Sequence, residues 1–495
     1  MKTENSRPNV VLLCTDQWRA DCLGVEGHPD IETPYLDQFA ADGCRFRRAY
    51  AAVPSCIAAR ASLLTGQTPR THGRVGYRDG VPWTYPITIA SSFRDQGYQT
   101  HCAGKMHVHP ARNRMGFDDV DLHDGYLHYG RKRTGADLET VDDYLPWLKL
   151  RAGHDADYFD AGVHCNAYTP HPWDKDERLH PTAWVSTMGA DFMRRRDTTR
   201  PFFLMLSYHR PHPPLDPPAW AYDQYLQKTD LARPDLGNWE EDLFRTAYQN
   251  ATCTQPPKTW PWERIRRARA AYYAQITFID HQIQRFVETL DEYGQLGNTV
   301  FCFVSDHGEM LGDHHQYAKS VSYEGSARIP MLFFSPRSDR IPKGRVDETH
   351  VAELRDVMQT LLDAAGLEIP ASVEGRSLLP ADRGDPVRWR SYLHGEHPVG
   401  YADIGSMHYI VTAEWKYIWH SGSGREQLFD LKKDPRELCD LTRTDPSNPH
   451  LATLRRHLMT ELAGREEGFV RNGKLVAGCG VIPVLSVLSK PRRSR

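Results

Sequence analysis

The sequence contains no long hydrophobic run. No window of its 495 residues approaches the roughly 18 apolar residues that a membrane-spanning helix needs. Near the N-terminus, a run of only five apolar residues (10–14) precedes Thr15, and this is shorter than the apolar core of a secretory signal peptide. We therefore expect no membrane partner and a cytoplasmic location.

The sequence also lacks the cysteine spacings of disulfide-rich or zinc-binding proteins. Its ten cysteines form no Cys-x-x-Cys pair, and Cys14, Cys102 and Cys302 lie inside apolar runs, as buried thiols do. This pattern excludes a disulfide framework and a cysteine-type zinc site, and it is typical of a reducing compartment.

Neither charge nor composition is strongly biased. The formal net charge of −3 provides no global field that would recruit nucleic acid, so we expect no nucleic-acid partner. Hydrophobic residues make up 40% and charged residues 25%, which is typical of a globular protein. A chain of this length exceeds one simple core and suits a large domain followed by a smaller one.

Short apolar runs of strand length alternate with helical patterns over the first 335 residues. The runs are NVVLLCT (9–15), YQTHCAG (98–104), PFFLMLSYH (201–209), NTVFCFVS (298–305) and IPMLFFS (329–335). Because they are almost continuously apolar, they indicate strands buried on both faces. With helices predicted at 33–43 and 263–294, the pattern predicts an α/β fold whose mostly parallel sheet is sandwiched by helices. Residues 105–200 are only weakly periodic, and we expect long loops there.

The pattern changes after about residue 380. Residues 406–435 alternate apolar and polar positions around a Gly-Ser-Gly turn, which predicts antiparallel hairpins, and a helix is predicted at 450–468. We therefore expect a catalytic α/β domain at 1–380 and an α+β subdomain with an antiparallel sheet at 381–495. The apolar tail at 476–489 favours exchange with a neighbouring subunit and so a homo-oligomer.

Polar side chains follow each of the first four apolar runs. They are Asp16 and Gln17, then Lys105 and His107, then His209 to His212, and finally Asp306 and His307. In open α/β sheets the carboxyl ends of the strands carry the ligand site, so we expect these side chains to meet.

The chemistry of these side chains is that of a metal-dependent hydrolase. Asp16, Gln17, Asp306 and His307 offer oxygen and nitrogen donors for one divalent cation. Lys105, His107 and His212 would add positive charge and proton transfer, which suits a sulfate or phosphate ester. Each residue alone could be an ordinary turn or capping residue. Only their combination at four strand ends indicates a metal-dependent hydrolase.

The segment VPSCIAARASLLTG (53–66) places a cysteine at the start of a predicted helix. Arg60 follows Cys56 by about one turn, and Gly66 ends the run. Cys56 is either a small buried residue or a nucleophile activated at a helix N-terminus.

Several segments resemble motifs of the type I sulfatases, the formylglycine-dependent, arylsulfatase-like members of the alkaline phosphatase superfamily. They are CIAAR with ASLLTG, TDQWRADCLG, GKMH, SDHGEMLGDHH, AKSVSYEGSARIP and REQLFDLKKDP. They occur in the family's order from residue 9 to about 440. The resemblance implies an alkaline phosphatase-like fold and hydrolysis of small sulfate esters.

The resemblance also implies a modified residue at position 56. In type I sulfatases a maturation enzyme oxidises this cysteine to Cα-formylglycine, whose hydrated aldehyde is the nucleophile. Arg60 would orient and stabilise the hydrate. A plain serine or thiol would be left as a stable ester, which explains the need for a second hydroxyl.

The remaining site residues are carried over by their positions in the motifs. Lys105 and Lys319 would bind sulfate oxygens, His107 would act as base, and His212 would protonate the leaving oxygen. The metal shell would comprise Asp16, Gln17, Asp306, His307 and the modified Cys56.

The sequence departs from the sulfatase pattern at three points. Ala58 replaces the commoner proline, which leaves the maturation system open. Gln17 and His307 replace an aspartate and an asparagine, which makes Mn²⁺ a rival to the expected Ca²⁺. DQWRAD and RPHPP also resemble phosphonate monoester hydrolases, whereas GKMH favours a sulfatase. A phosphonate or phosphodiester hydrolase, and more remotely an inactive binding protein, are the alternatives.

Overall fold

A computed structural model describes residues 7–125, 140–240, 260–337, 339–379, 389–398 and 405–488. Within these ranges, eight strands form one large sheet in the order β5-β4-β6-β1-β7-β8-β2-β9. The strands up to the C-terminal sheet are β1 (Asn9–Asp16), β2 (Cys44–Phe46), β3 (Ala49–Tyr50), β4 (Gln99–Gly104), β5 (Asp119–Leu122), β6 (Phe202–Pro211), β7 (Thr299–Ser305), β8 (Met331–Phe334), β9 (Arg345–Asp347) and β10 (Ala352–Glu353).

Helices cover both faces of the large sheet. The described α-helices are α1 (Pro34–Ala41), α2 (Cys56–Thr65), α3 (Pro69–His72), α4 (Ile89–Arg94), α5 (Tyr144–Ala152), α6 (Pro181–Arg195), α7 (Ala219–Leu226), α8 (Trp262–Glu292), α9 (Glu324–Ala327), α10 (Arg355–Ala364), α11 (Leu441–Thr444) and α12 (Pro449–Leu462). Among the helices of these ranges, none combines the length and the apolar character of a bilayer-spanning segment.

Strand β1 shows why the sheet is buried on both sides. Its side chains alternate between two cores, with Val11 and Leu13 packed towards α6, α7 and α8. Val10 and Leu12 pack towards α2, α4 and α10 on the opposite face. A strand between two helical layers has to be apolar on both faces, which explains the unbroken apolar run. The expected α/β sandwich is confirmed.

The sheet is mostly parallel, as predicted, whereas the segment at residues 105–200 differs from the sequence expectation. β8 pairs antiparallel with β7, so the sheet is mostly but not wholly parallel. Residues 105–200, expected to form long loops, contain β5, α5 and α6. α5 and the buried face of α6 pack in the same core as β1, and this tertiary burial stabilises helices that local periodicity did not reveal.

The C-terminal part builds a second sheet. β11 (Leu393–Pro398), β12 (Ser406–Val411), β13 (Trp415–His420) and β14 (Glu426–Asp430) are antiparallel neighbours in that order. One face of this sheet packs with Tyr50 and Ala52 of the large domain, and the other packs on α12. The antiparallel α+β subdomain is thus confirmed, whereas the expected boundary between residues 380 and 381 falls outside the described residues.

The apolar tail packs on its own chain. After the hairpin of β15 (Val470–Arg471) and β16 (Lys474–Leu475), the backbone N–H of Val75 donates to the carbonyl of Pro483. The N–H of Leu485 in turn donates to the carbonyl of Gly73. The tail is thus attached to its own chain, with Leu485 buried at 6% exposure, and the homo-oligomer stays a prediction.

The N-terminus of α1 is capped by a carboxylate from another helix. Thr33, at the N-cap position, makes no capping bond with its side chain. Instead, Asp280 of α8 accepts hydrogen bonds from the backbone N–H groups of Tyr35 and Leu36 at 3.1 and 2.7 Å. Burial raises the pKa of Asp280 to about 7.

We expect Asp280 to make stability depend on pH. Its pKa is higher in the folded chain than the unfolded value of 3.8, so the native state binds this proton more tightly and loses stability as the pH rises towards about 7. On lowering the pH from about 7.5 to about 5, the melting temperature of the wild type should rise relative to Asp280→Asn. The exposed Asp291→Asn is the control, and parallel pH profiles for Asp280→Asn and wild type would contradict the expectation.

Candidate active site

The polar strand ends meet at one edge of the large sheet. Asp16 is the last residue of β1, and its carbonyl accepts a hydrogen bond from the N–H of His212, just beyond β6. Next to it, the N–H of Asp306 donates to the carbonyl of Thr15, and Lys105 follows β4. Parallel neighbours thus bring together side chains that lie up to 290 residues apart in the chain.

Asp16, Cys56, Asp306 and His307 form a compact, buried cluster. One candidate ligand atom from each lies within 4.8 Å of the others. The Cys56 Sγ lies 3.3 Å from His307 Nε2 and 3.7 Å from Asp16 Oδ1, and all four residues are at most 1% exposed. Carboxylate oxygens, an imidazole nitrogen and the group at position 56 therefore surround one small volume.

The donor set of this cluster fits a divalent cation. His307 Nδ1 donates to the carbonyl of Gly308 at 2.9 Å, which turns Nε2 towards the cluster, as in many metal-binding histidines. Burial and the nearby Asp16 raise the pKa of Asp306. Burial lowers the pKa of His307, but Asp306 and the other acidic groups outweigh it and raise that pKa to about 10. Acidic neighbours contribute to both shifts, in addition to burial at Asp306, and a cation between them would offset part of that negative charge.

Cys56 is the first residue of α2, a helix whose ten residues are all buried. Gly66 ends the helix in the left-handed conformation with φ of 65°. Burial and Asp16 favour the neutral thiol. The positive charges of Lys105, Lys319 and His307 outweigh them and hold the pKa of Cys56 well below its usual value.

Arg60 ties the helix to the sheet edge. Its Nε donates to Asp306 Oδ2 at 2.8 Å, and its Nη1 donates to the Lys105 carbonyl at 2.8 Å and to Ser207 Oγ at 2.9 Å. The guanidinium therefore fixes three elements around Cys56, and such a multidentate fit is specific to arginine.

Lys105 pairs directly with Asp16 inside the site. The ammonium Nζ donates to Asp16 Oδ2, and both side chains are fully buried. Burial disfavours the charged form of each side chain, but the opposite charge nearby outweighs this effect. The pKa of Asp16 is therefore lowered and that of Lys105 is raised. Lys105 consequently stays charged at the base of the site.

Lys319 joins Gln17 and His212 at the less buried side of the site. Its Nζ lies 2.6 Å from Gln17 Oε1 and 2.7 Å from His212 Nε2. Because lysine only donates, His212 Nε2 is an acceptor here, while its Nδ1 donates to the carbonyl of Pro213 at 2.8 Å. Burial and then Lys319 hold the pKa of His212 well below its usual value.

His107 follows Lys105 by two residues, in the turn after β4, and is 8% exposed. Its ring contacts that of Tyr77 at a centroid separation of 6.1 Å, and Tyr77 is 49% exposed. Its backbone N–H donates to Asp124 Oδ1 at 2.8 Å, which fixes the turn after β4. His107 is thus held two residues from Lys105, with its ring against the exposed Tyr77.

Four positioning residues were absent from the sequence-derived set. Ser207 holds Arg60, and Asp124 holds the turn at His107. Glu309 and Tyr168 accept hydrogen bonds from the Gln17 amide, so that its oxygen faces Lys319. Glu309 stands within the SDHGEM motif, which offers a local signal, but Tyr168 lies in the weakly periodic region.

Fold and site together define the class of protein. A mostly parallel sheet with helices on both faces, and with a buried helix N-terminus and candidate cation ligands at its carboxyl edge, is typical of the alkaline phosphatase superfamily. The structure is similar to phosphonate monoester hydrolases from Agrobacterium radiobacter and Silicibacter pomeroyi, each with a TM-score of 0.74 over 92% of this chain and 95% of theirs. Sequence identities are 23% and 26%.

Within this superfamily, the chain belongs to the sulfatase family. The sulfatase family model matches residues 8–367, and the model of the C-terminal part of N-sulphoglucosamine sulphohydrolase matches residues 312–465. An arylsulfatase of Clostridium perfringens is 49% identical over 95% of this chain and 98% of its own length. A multifunctional alkaline phosphatase superfamily protein of Trinickia caryophylli is 30% identical over 88% of this chain and 91% of its own length. The chain is therefore a sulfatase enzyme, and an inactive binding protein is not supported.

Proposed function

We propose that the protein hydrolyses small sulfate monoesters with a Cα-formylglycine formed from Cys56 and one divalent cation. The observation that carries this proposal is the position of Cys56. Its Sγ lies at a helix N-terminus, 3.3 Å from His307 Nε2, among cation-ligating residues and two lysines. The 49% identity to an arylsulfatase supports the same activity. The modification requires a formylglycine-generating enzyme as a partner.

The two added groups have distinct chemical tasks. Formylglycine supplies a hydrated aldehyde, with one hydroxyl to attack sulfur and a second to permit release of sulfate by carbon–oxygen cleavage. Asp16, Asp306 and His307 would hold the cation, with Gln17 as a neutral neighbour. A cation there offsets negative charge on the ester and on the attacking oxygen. We favour Ca²⁺ because carboxylate and amide oxygens dominate the set, and His307 makes Mn²⁺ the rival.

Two lysines suit the nonbridging oxygens of a sulfate ester. Lys105 lies at the buried end of the site with its Nζ beside Asp16, and Lys319 lies at the more open end with its Nζ beside Gln17. As charge grows on the sulfate oxygens in the transition state, fixed ammonium groups in a buried site stabilise it strongly. Arg60 keeps α2 and Asp306 in register with both lysines.

Two histidines serve proton transfer in this proposal. His212 and Lys319 hold a proton between Nε2 and Nζ, and this pair would deliver it to the leaving oxygen. His107 would take a proton from the second hydroxyl as sulfate leaves.

A phosphonate monoester hydrolase is the second candidate function. Both structural neighbours described above carry that activity in their names, and sulfate and phosphonate esters are both tetrahedral. A sulfate ester, however, offers three nonbridging oxygens to the cation, Lys105 and Lys319. A phosphonate monoester offers two, with carbon in the third place, and would leave one buried donor unpaired.

Parallel kinetics test this choice. We expect kcat/KM for 4-nitrophenyl sulfate to exceed that for 4-nitrophenyl phenylphosphonate by about tenfold or more, the cost of one unpaired buried donor. Lys105→Ala should lower the sulfate activity more than the phosphonate activity, because it removes a donor that only sulfate fully uses. A phosphonate preference in the metal-loaded, modified wild type would favour the second candidate instead.

A further inference from the structure

A histidine of the C-terminal sheet lies on the face that packs against the active-site domain. Side chains alternate along β11, so Leu393, Gly395 and His397 share one face. Leu393 belongs to the apolar cluster that contains Tyr50 and Ala52 of the large domain. His397 therefore projects from the same side of the sheet.

The neighbours of His397 on the opposite face confirm this orientation. Glu396 forms an ion pair with Arg465 beyond α12, and His394 stacks on His408 with ring centroids 5.6 Å apart. His408 in turn packs against Phe469, which belongs to the core beneath α12. The two faces of β11 thus serve different contacts, and only one faces the active-site domain.

The backbone places His397 beside the segment that leads into α2. The N–H of Glu396 donates to the carbonyl of Ala52 at 2.8 Å, and Tyr409 Oη donates to the carbonyl of Ala51 at 2.8 Å. Cys56 begins its helix only four residues after Ala52. In keeping with this proximity, the charges of His307, Cys56 and Lys319 act on the pKa of His397.

The imidazole of His397 is buried, neither ring nitrogen makes a well-aligned hydrogen bond among the described residues, and the one backbone group that acts on the ring as a hydrogen-bond partner is that of the adjoining Pro398. The exposed fraction of His397 is 5%. Buried polar groups in native proteins are nearly always paired. Because the Pro398 backbone can serve only one of the two ring nitrogens, the other indicates a position for a ligand group next to the active site. Burial lowers the pKa of His397 to about 4, which leaves a neutral ring with one donor and one acceptor at neutral pH.

We propose that His397 binds the organic half of the substrate, through a hydroxyl group close to the sulfate ester. This inference rests on the proposed sulfatase function. Lys105 and Lys319 already serve the charged sulfate, and a neutral imidazole competes poorly with ammonium groups for it. A hydroxyl group, which can donate or accept, pairs with the remaining ring nitrogen in either tautomer. Sulfate esters of catechols or polyhydroxylated compounds are therefore the preferred class.

Two chromogenic substrates that differ by one hydroxyl test this proposal. In 4-nitrocatechol sulfate the hydroxyl stands next to the ester, and in 4-nitrophenyl sulfate it is absent. We expect His397→Phe to lower kcat/KM for the catechol ester by about 10- to 100-fold, the usual effect of one buried hydrogen bond. The same variant should keep 4-nitrophenyl sulfate within about threefold of wild type, and His397→Asn should recover part of the loss.

His394→Phe, on the other face of the same strand, is the matched control and should leave the ratio between the two substrates unchanged. Melting temperatures show whether each variant folds. The ratio of kcat/KM for the two substrates, measured on one preparation, does not depend on how much of the enzyme is active. An equal loss on both substrates, or an unchanged ratio in His397→Phe, would overturn the proposal. A wild type that hydrolyses neither ester would contradict the proposed function itself, and is thereby distinguished from a failure at His397.

Discussion

Replacement of Cys56 by alanine is expected to reduce the hydrolysis of 4-nitrophenyl sulfate by about 10⁴-fold or more, to near the background rate. The reason is that position 56 carries the nucleophile in the proposed mechanism, and the surrounding charges act on whatever group stands there. Cys102→Ala removes another buried thiol from β4 and should retain activity. Full activity in Cys56→Ala would exclude position 56 as the nucleophile.

Cys56→Ser separates the formylglycine chemistry from ordinary nucleophilic catalysis. A serine hydroxyl can take the sulfuryl group but has no second hydroxyl to expel it. We therefore expect at most one equivalent of nitrophenol per enzyme, with a sulfate ester left on the introduced serine and detected by intact mass. Steady turnover in this variant would contradict the need for an aldehyde.

The modification itself is visible in one tryptic peptide. Cleavage after Arg48 and Arg60 releases residues 49–60, and in active enzyme mass spectrometry should find an aldehyde, or its hydrate, in place of the Cys56 thiol. Co-expression with a formylglycine-generating enzyme should raise this fraction and the activity in proportion. Only unmodified cysteine in fully active enzyme would be incompatible with the mechanism.

Replacement of Asp306 by asparagine is expected to remove both the cation and the activity. Asp306 contributes an oxygen to the buried cluster and also receives the Arg60 hydrogen bond, so the change lowers the negative charge that a cation would offset. We expect bound Ca²⁺ or Mn²⁺, measured by mass spectrometry of the purified protein, to fall below about a tenth of wild type. Turnover should fall by about 10³-fold or more.

A second buried carboxylate provides the control for Asp306. Asp313 pairs with Arg19 at 2.6 Å and lies outside the four-residue cluster. Asp313→Asn should therefore lower the melting temperature without changing the metal content of the folded protein. Equal metal in Asp306→Asn and wild type would refute the metal site, whatever the activity.

The sequence predicted the layers of the fold and most of the site because both depend on strand ends. An unbroken apolar run specifies a strand with two buried faces, and parallel neighbours carry the residues that follow such runs to one edge. The apolar runs alone therefore placed Asp16, Lys105, His212 and Asp306 together. The direction of β8 was not predictable, because a short apolar run reads the same in both directions.

Other features depend on contacts that leave no local pattern. The helix α5 and the buried part of α6 are stabilised by a shared core rather than by a strong amphipathic repeat of their own. Tyr168 and His397 reach the site from segments about 110 and 340 residues after Cys56, and nothing in their immediate sequence marks them. The orientation of the Gln17 amide, with its oxygen towards Lys319, is likewise set by Glu309 across the site.

For the proposed conversion of Cys56 to formylglycine, the complete burial of α2 sets an order of events during synthesis. Once folded, Cys56 is 1% exposed, and the loop before it is bonded to Glu396 and Tyr409, which emerge from the ribosome more than 330 residues later. A modifying enzyme needs an accessible, flexible peptide. Modification of Cys56 can therefore begin when residues 53–66 leave the ribosome, and it must be complete before the C-terminal sheet docks. Slower docking would then give a larger modified fraction and a more active protein.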